Sequence, residues 1–106
     1  MGTLLKVTCR DCGAESEQVY GAVILGFNPR CDRCGRTTFV EVRELVASDP
    51  PGFDPHAADA WLRREERIPA LAGPCDCGGS FSEDAPLRCL SCRSRNVGYV
   101  RVGYVD

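Results

Sequence analysis

The amino-acid sequence predicts a small, mainly β fold that depends on bound metal and contains one connecting α-helix. Three observations lead to this expectation. Eight cysteines stand in a chain of 106 residues, segments of β-type pattern flank them, and a proline-containing connector precedes one helical segment. Below ~40 residues a domain rarely buries enough apolar surface to fold unaided, so short cysteine-bearing segments need another source of stability.

The cysteines occur as close pairs, a spacing that is typical of metal sites. The four pairs are Cys9/Cys12, Cys31/Cys34, Cys75/Cys77 and Cys89/Cys92. A tight turn between two cysteines aims both thiolates at one ion. Disulfides are the alternative, but the chain starts without a signal-peptide pattern, and a reducing compartment disfavours them. We therefore expect a cytoplasmic protein with no membrane-spanning segment and with all eight thiolates bound to metal.

The first stretch, residues 1–46, is predicted to contain three strands. Leu4, Leu5 and Val7 form a short apolar segment that leads into the first cysteine pair. A second strand is expected over 18–25, where β-branched and aromatic residues are frequent. A third is expected over 39–45, where apolar and charged residues partly alternate.

The second stretch, residues 47–73, is predicted to be a connector with a helix over about 55–67. Asp54 followed by Pro55 has the pattern of an N-cap and a first helical position, and the helix should end before Pro69. Trp61, the only tryptophan, is expected in the core; if it is exposed, the helix becomes the best partner-binding surface. His56 is expected to be exposed and not to ligate metal.

The third stretch, residues 74–106, carries the last two cysteine pairs, a short hairpin between them and a final strand over 97–105. That final segment is composed of valine, tyrosine and glycine around one arginine, and its composition indicates a strand. Both the first and the third stretch thus contain a cysteine pair, a spacer, a second cysteine pair and a strand, in that order. The pattern predicts two similar metal-bound units in tandem.

Spacer lengths favour one grouping of the cysteine pairs. Between the first two pairs lie residues 13–30, between the last two lie 78–88, and the middle gap covers 35–74. A cross-braced grouping, in which alternate pairs share an ion, does not suit so long a middle gap. A first pair, a spacer of ~15–20 residues and a second pair is the known spacing of a zinc site. We therefore predict a sequential grouping with two Zn²⁺ per chain, the ligands being Cys9, Cys12, Cys31 and Cys34 for one ion and Cys75, Cys77, Cys89 and Cys92 for the other.

The cysteine motifs resemble those of the zinc-ribbon superfamily. The likeness lies in Cys9-Arg10-Asp11-Cys12-Gly13, in Cys31-Asp32-Arg33-Cys34-Gly35, and in the segments 74–81 and 88–92. It implies two tandem zinc ribbons similar to small bacterial proteins of unknown function. Cys75 and Cys77 depart from the pattern, since one residue separates them instead of two. The first motif also resembles a rubredoxin knuckle, which binds iron, but Asp32 stands where rubredoxins have proline.

Charge and site chemistry narrow the classes of function. The formal net charge is −2, and two four-thiolate sites, each holding a divalent cation, take it to −6. This is a poor footprint for general nucleic-acid binding. A four-thiolate zinc site is closed, which leaves no open position for catalysis.

The expected function is therefore a non-enzymatic interaction or adaptor module of a larger bacterial assembly, with a protein partner and no small-molecule substrate. A nucleic-acid-binding accessory role in transcription or translation is the alternative, because arginines cluster around the cysteine pairs. A rubredoxin-like iron or redox protein is the third hypothesis.

Overall fold

A computed structural model describes residues 2–105 and shows a mainly β fold with small antiparallel sheets and short helices. The strands are β1 (Gly2–Cys9), β2 (Glu15–Tyr20), β3 (Gly26–Phe27), β4 (Arg30–Cys31), β5 (Val40–Glu41), β6 (Phe81–Ser82) and β7 (Val97–Val105). The helices are α1 (Val42–Ala47), α2 (Ala60–Glu65) and α3 (Ile68–Ala72). Among the described residues no helix has the length and apolar character needed to cross a bilayer.

The largest sheet joins the two ends of the chain. Its strand order is β2-β1-β7, and both pairings of β1 are antiparallel. Cys9 lies opposite Val97, and Leu5 lies opposite Arg101. A bulge between Leu4 and Leu5 shifts the register of the β1–β7 pairing. The pairing therefore holds the first cysteine pair beside the segment that follows the last one.

Two smaller sheets organise the middle of the chain. β3 pairs with β5, and β4 pairs with β6, so that Cys31 lies opposite Phe81. Val40, Leu45 and Ile68 form one buried apolar cluster, and Cys31, Cys75 and Phe81 form another. The second cluster includes cysteine side chains, so the core and the candidate metal ligands are continuous.

Several predicted elements differ from those in the structure. The predicted strand over 39–45 is a strand only at Val40–Glu41 and then becomes α1. Glu41 and Glu44 form a reciprocal capping box, in which each side chain accepts a hydrogen bond from the other residue's backbone N–H, and this starts the helix. The strand expected over 18–25 begins earlier and ends at Tyr20, because Gly21 has a positive φ of 90°.

The helix expected over 55–67 is shorter and is followed by a second one. Turns occupy the segment after Asp54, α2 begins at Ala60, and Pro69 lies in the first turn of α3, where a missing N–H is tolerated. Trp61 is 47% exposed, so the expected core position is wrong. The domain boundaries 1–46, 47–73 and 74–106 stay a prediction, although the main sheet combines strands from the first and third stretches.

Asp49 ties the helices to one another. Its carboxylate accepts hydrogen bonds from the Nη2 of Arg64 at 2.7 Å and from the Nη2 of Arg67 at 2.6 Å. Arg64 lies on α2 and is 6% exposed. The Arg64 guanidinium, together with Arg67, lowers the pKa of Asp49 to about 2. Because this folded-state pKa lies below the ordinary value, the contribution to stability is present at neutral pH and is lost as the pH falls from about 4 towards 2.

Asp49→Asn is therefore expected to lower the Tm of the metal-loaded protein at neutral pH. It leaves the Arg64 guanidinium buried without its anion. Asp59→Asn is the matched control, since Asp59 pairs with Arg63 in an exposed i,i+4 bridge at 2.8 Å, and such pairs contribute only ~0.3–0.5 kcal/mol. Thermal denaturation followed by circular dichroism compares the two variants. Equal shifts in Tm would contradict the assigned role of Asp49.

Candidate metal centres

The eight cysteines come together in two groups of four, but not in the predicted combination. The outer quartet consists of Cys9, Cys12, Cys89 and Cys92, and the inner quartet consists of Cys31, Cys34, Cys75 and Cys77. Within each quartet the sulfur atoms all lie within 4.8 Å of one another. The sequential grouping is therefore wrong, and so is the cross-braced one. The grouping is nested, with the first pair meeting the fourth and the second meeting the third.

Strand pairing explains the nested grouping. The β1–β7 ladder places Cys9 opposite Val97, a few residues after the fourth cysteine pair. The β4–β6 ladder places Cys31 opposite Phe81, a few residues after the third pair. Doubling a loop costs only ~0.6 kcal/mol of closure entropy, so spacer length has little weight against these long-range pairings.

Sulfur–sulfur distances in both quartets suit a tetrahedral ion. Cys9 and Cys92 are 3.6 Å apart, and Cys12 and Cys89 are 3.5 Å apart. In the inner quartet, Cys31–Cys77 is 3.4 Å and Cys34–Cys75 is 3.6 Å. Tetrahedral bonds of ~2.3 Å place two thiolates about 3.8 Å apart, whereas a disulfide needs ~2.05 Å. Both donor sets therefore fit a bound metal ion and are free of disulfides.

Backbone amides point at the first sulfur of three cysteine pairs. The N–H groups of Asp11 and Cys12 each donate to Cys9 Sγ at 3.4 Å. Arg33 and Cys34 donate in the same way to Cys31 Sγ, at 3.4 and 3.5 Å. In the fourth pair the N–H of Cys92 donates to Cys89 Sγ at 3.4 Å. Such bonds stabilise the thiolate form that a metal requires.

The inner quartet cannot hold all four cysteines as thiolates at neutral pH without a cation. Burial disfavours the Cys31 thiolate, but the N–H groups of Cys34 and Arg33 outweigh it and lower the pKa of Cys31 to about 6. Burial and the neighbouring sulfurs raise the pKa of Cys34 to about 12. Four thiolates at these distances repel one another, and a divalent cation removes that repulsion. The chemistry of the donor set thus fits a metal.

A left-handed residue closes each of the four cysteine turns. Gly13 and Gly35 have φ of 78°, and Gly78 has φ of 90°. Arg93 occupies the same place after the fourth pair with φ of 66°, and its N–H donates to the Cys89 carbonyl at 2.9 Å. The role of the glycines follows from the sequence motif, but the equivalence of Arg93 does not, because arginine rarely adopts this geometry.

Gly13→Ala and Gly35→Ala form a matched pair of variants. Both place a Cβ on a backbone with φ of 78°, which costs roughly 1–2 kcal/mol. At position 35 that Cβ also meets Arg88 Cβ at 2.7 Å, whereas at position 13 nothing lies within 4 Å. Denaturant titration of the metal-loaded variants should show a clearly larger loss of unfolding free energy for Gly35→Ala. Losses of the same size would rule out the close approach to Arg88.

The two quartets differ in exposure. Cys31 and Cys75 are buried and pack against Phe81, and the other two inner cysteines are partly buried. In the outer quartet, Cys12 and Cys92 are exposed. The inner quartet is therefore part of the core, while the outer one opens to solvent on one side.

His56 and the arginines near the cysteine pairs, which the sequence analysis singled out, lie outside the two quartets. His56 is exposed in a turn, where its backbone N–H donates to Asp54 Oδ1. Several arginines near the cysteine pairs have structural partners. Arg10 donates to the Val97 carbonyl, and Arg36 donates to Asp76 and approaches Cys75 Sγ at 3.9 Å. Some arginines of the predicted clusters therefore make structural contacts within the chain.

Comparisons with known proteins identify a family but no function. Residues 5–98 match the family described as Domain of unknown function (DUF8255). No curated protein and no solved structure matches the chain significantly.

Proposed function

The chain belongs to this family of unknown function, and from its structure we propose that it is a non-catalytic interaction module held together by two zinc ions. In this proposal it acts in the cytoplasm as an adaptor or small subunit of a larger assembly and docks a protein partner. The nested quartets take the place of the two tandem ribbons expected from the sequence. A reducing compartment suits them, because the ligands must stay free thiols.

Zinc is the ion that best suits the donor sets. Tetrahedral four-sulfur sites favour zinc or iron, and a site filled by four protein ligands is structural because it keeps no open position. Mass spectrometry of the native protein should give two zinc ions per chain, one per quartet. A coloured protein that contains iron would favour the rubredoxin-like alternative instead.

An apolar patch beside α1 supports docking of a protein. We define the apolar patch as Ile24, Leu25, Phe39, Val42 and Val46, which line an open cavity of about 780 Å³. Ile24 and Leu25 are 71% and 70% exposed. Large exposed apolar side chains that form one contiguous surface often mark interaction sites, whereas apolar side chains scattered singly over a surface do not.

The backbone holds the two most exposed residues of the apolar patch in a fixed position. Ile24 and Leu25 form the tip of a tight turn, which Val23 closes by donating its N–H to the Gly26 carbonyl at 2.9 Å. The Val42 N–H donates to the Leu25 carbonyl at 2.9 Å and so fixes the tip against α1. Tips of tight turns favour glycine, asparagine and aspartate, so two rigidly held aliphatic side chains at this place suit a partner's apolar surface.

The exposed Trp61 is a weaker candidate for contact with a partner than the apolar patch is. The Arg64 guanidinium lies 4.8 Å from the centre of its ring, so one side of the indole already has an intramolecular partner. Leu62 beside it is 64% exposed. This part of α2 can extend the contact area, but the apolar patch carries the proposal.

Co-purification with matched variants tests the proposed function. Tagged wild type, Leu25→Asp and Val100→Asp are expressed in the native host, cross-linked and purified. Val100 is exposed on another surface, on β7. We expect one partner to accompany wild type and Val100→Asp and to be lost with Leu25→Asp, and the purified partner to bind wild type directly. Equal recovery with all three proteins would refute the role of the apolar patch.

A further inference from the structure

All three tyrosines of the chain lie on one face of the main sheet. Tyr20 on β2 and Tyr104 on β7 both lie opposite Thr3 of the central strand, and Tyr99 lies opposite Val7. Residues directly opposite each other in antiparallel strands point to the same face, and Thr3 and Val7 share a face because their positions differ by an even number. We call this surface the tyrosine face.

The tyrosines on this face are open to solvent and are accompanied by arginines. Tyr20, Tyr99 and Tyr104 are 53%, 63% and 59% exposed. The Arg101 guanidinium lies 5.1 Å from the centre of the Tyr104 ring, and that of Arg30 lies 5.8 Å from the centre of the Tyr20 ring. One exposed arginine, Arg101, thus lies beside a ring of this face, and one buried arginine, Arg30, lies behind another.

A groove of about 640 Å³ runs along the tyrosine face, between the sheet and the segment 84–87. Leu5 and Val97 give it apolar walls, while Tyr20 and Tyr99 offer their rings to it. The groove is long enough to contact two tyrosines from strands on either side of β1. It therefore presents apolar and aromatic surface together.

Charge in and beneath the groove is positive, although the whole chain is acidic. Arg95 and Arg101 line the groove, and Asp84 is the one acidic residue in its lining. Beneath it, Arg30 is 2% exposed and donates to the carbonyls of Val19 and Ala85, with no carboxylate within 4 Å among residues 2–105 and its Nε unpaired. Glu83 interacts electrostatically with Arg30 and offsets part of this buried charge, so the positive potential of the groove comes mainly from Arg95 and Arg101.

We propose that the tyrosine face binds single-stranded nucleic acid, with bases stacked on Tyr99, Tyr20 and Tyr104 and with phosphates held by Arg95 and Arg101. Aromatic platforms flanked by cations are the usual means of holding unpaired bases. A duplex keeps its bases stacked inside and has no ring to offer, so single strands are the occupant that uses the tyrosines. This site is separate from the apolar patch and does not depend on the proposed protein docking.

Fluorescence anisotropy with the metal-loaded protein tests the proposal. The probes are fluorescein-labelled single-stranded RNA and DNA of mixed sequence and a duplex of the same sequence, each at low and at moderate salt. We expect single strands to bind more tightly than the duplex, and the RNA and DNA arms to show which single strand is preferred. Tyr99→Ala should weaken binding about five- to hundredfold, given the usual contribution of a stacked base.

Matched variants separate stacking from charge. Tyr99→Phe keeps the ring and should bind like wild type, and so should Val100→Ala, since Val100 lies opposite Lys6 on the other face of the sheet. Arg101→Ala should weaken binding and reduce its dependence on salt, because one phosphate contact is lost. All variants alter exposed residues, so metal content and circular dichroism should match wild type.

Three results would overturn the proposal. The first is no binding of any single strand at low salt. The second is equal affinity of Tyr99→Ala and wild type. The third is displacement of the probe by polyglutamate as effectively as by unlabelled single strand, since that would indicate a site for acidic protein segments without base stacking. None of these results affects the apolar patch, whose test uses other residues and another partner.

Discussion

Removal of the two zinc ions proposed for the quartets is expected to unfold the chain. Cys31 and Cys75 belong to a buried apolar cluster with Phe81, so the inner quartet is continuous with the core. Structural zinc contributes an apparent ~10–16 kcal/mol, comparable to or larger than the ~5–15 kcal/mol stability of a typical domain. Without a cation, the four inner sulfurs at 3.4 to 3.6 Å cannot all stay thiolates, and Cys34, whose pKa is raised to about 12, takes up a proton.

The measurement is a titration of reduced protein with a strong chelator, followed by circular dichroism and by the dispersion of amide NMR signals. Addition of zinc to the stripped sample should restore the folded spectrum. A parallel sample with reductant and no chelator controls for thiol chemistry. A metal-free chain that keeps its full NMR dispersion would show that the ions are not structural.

Paired cysteine substitutions are expected to reveal the nested grouping directly. Cys9 and Cys92 belong to the same quartet, whereas Cys9 and Cys34 belong to different ones. Cys9→Ser/Cys92→Ser should therefore disable one site and keep about one ion per chain. Cys9→Ser/Cys34→Ser should disable both sites and keep almost none. Serine is nearly isosteric but does not supply the thiolate that the ion requires.

Native mass spectrometry of the two double variants gives the ion count. A sequential grouping predicts the opposite result, because Cys9 and Cys34 would then share an ion and Cys9 and Cys92 would not. We also expect the variant that lacks the outer site to keep a folded core around Leu45 and Ile68, which pack together away from that quartet. The reversed pair of ion counts would refute the nested arrangement.

Local pattern was sufficient for some elements and insufficient for others. The strands that become β1 and β7 were predictable, β1 from the apolar segment of Leu4, Leu5 and Val7 and β7 from its many valines and tyrosines. The segment 39–45 was misread as a strand, because its partial alternation outweighed the capping signal of Glu41 and Glu44, which lie three positions apart. The predicted core position of Trp61 was wrong for another reason. Its ring packs against the Arg64 guanidinium instead of against the core.

The candidate metal ligands follow from local sequence pattern, whereas their grouping follows from the tertiary structure. Four close cysteine pairs already predict eight ligands, because the local turn alone determines that two thiolates converge. Which pairs meet depends on β1 pairing with β7 and β4 with β6, contacts between distant segments that no spacer length encodes. Spacer length enters only through loop entropy, which grows slowly with length. The sequence by itself therefore determined a mainly β chain with two four-cysteine centres, and only the tertiary structure decided that these centres are nested, because strand pairing outweighs the cost of closing the longer loops.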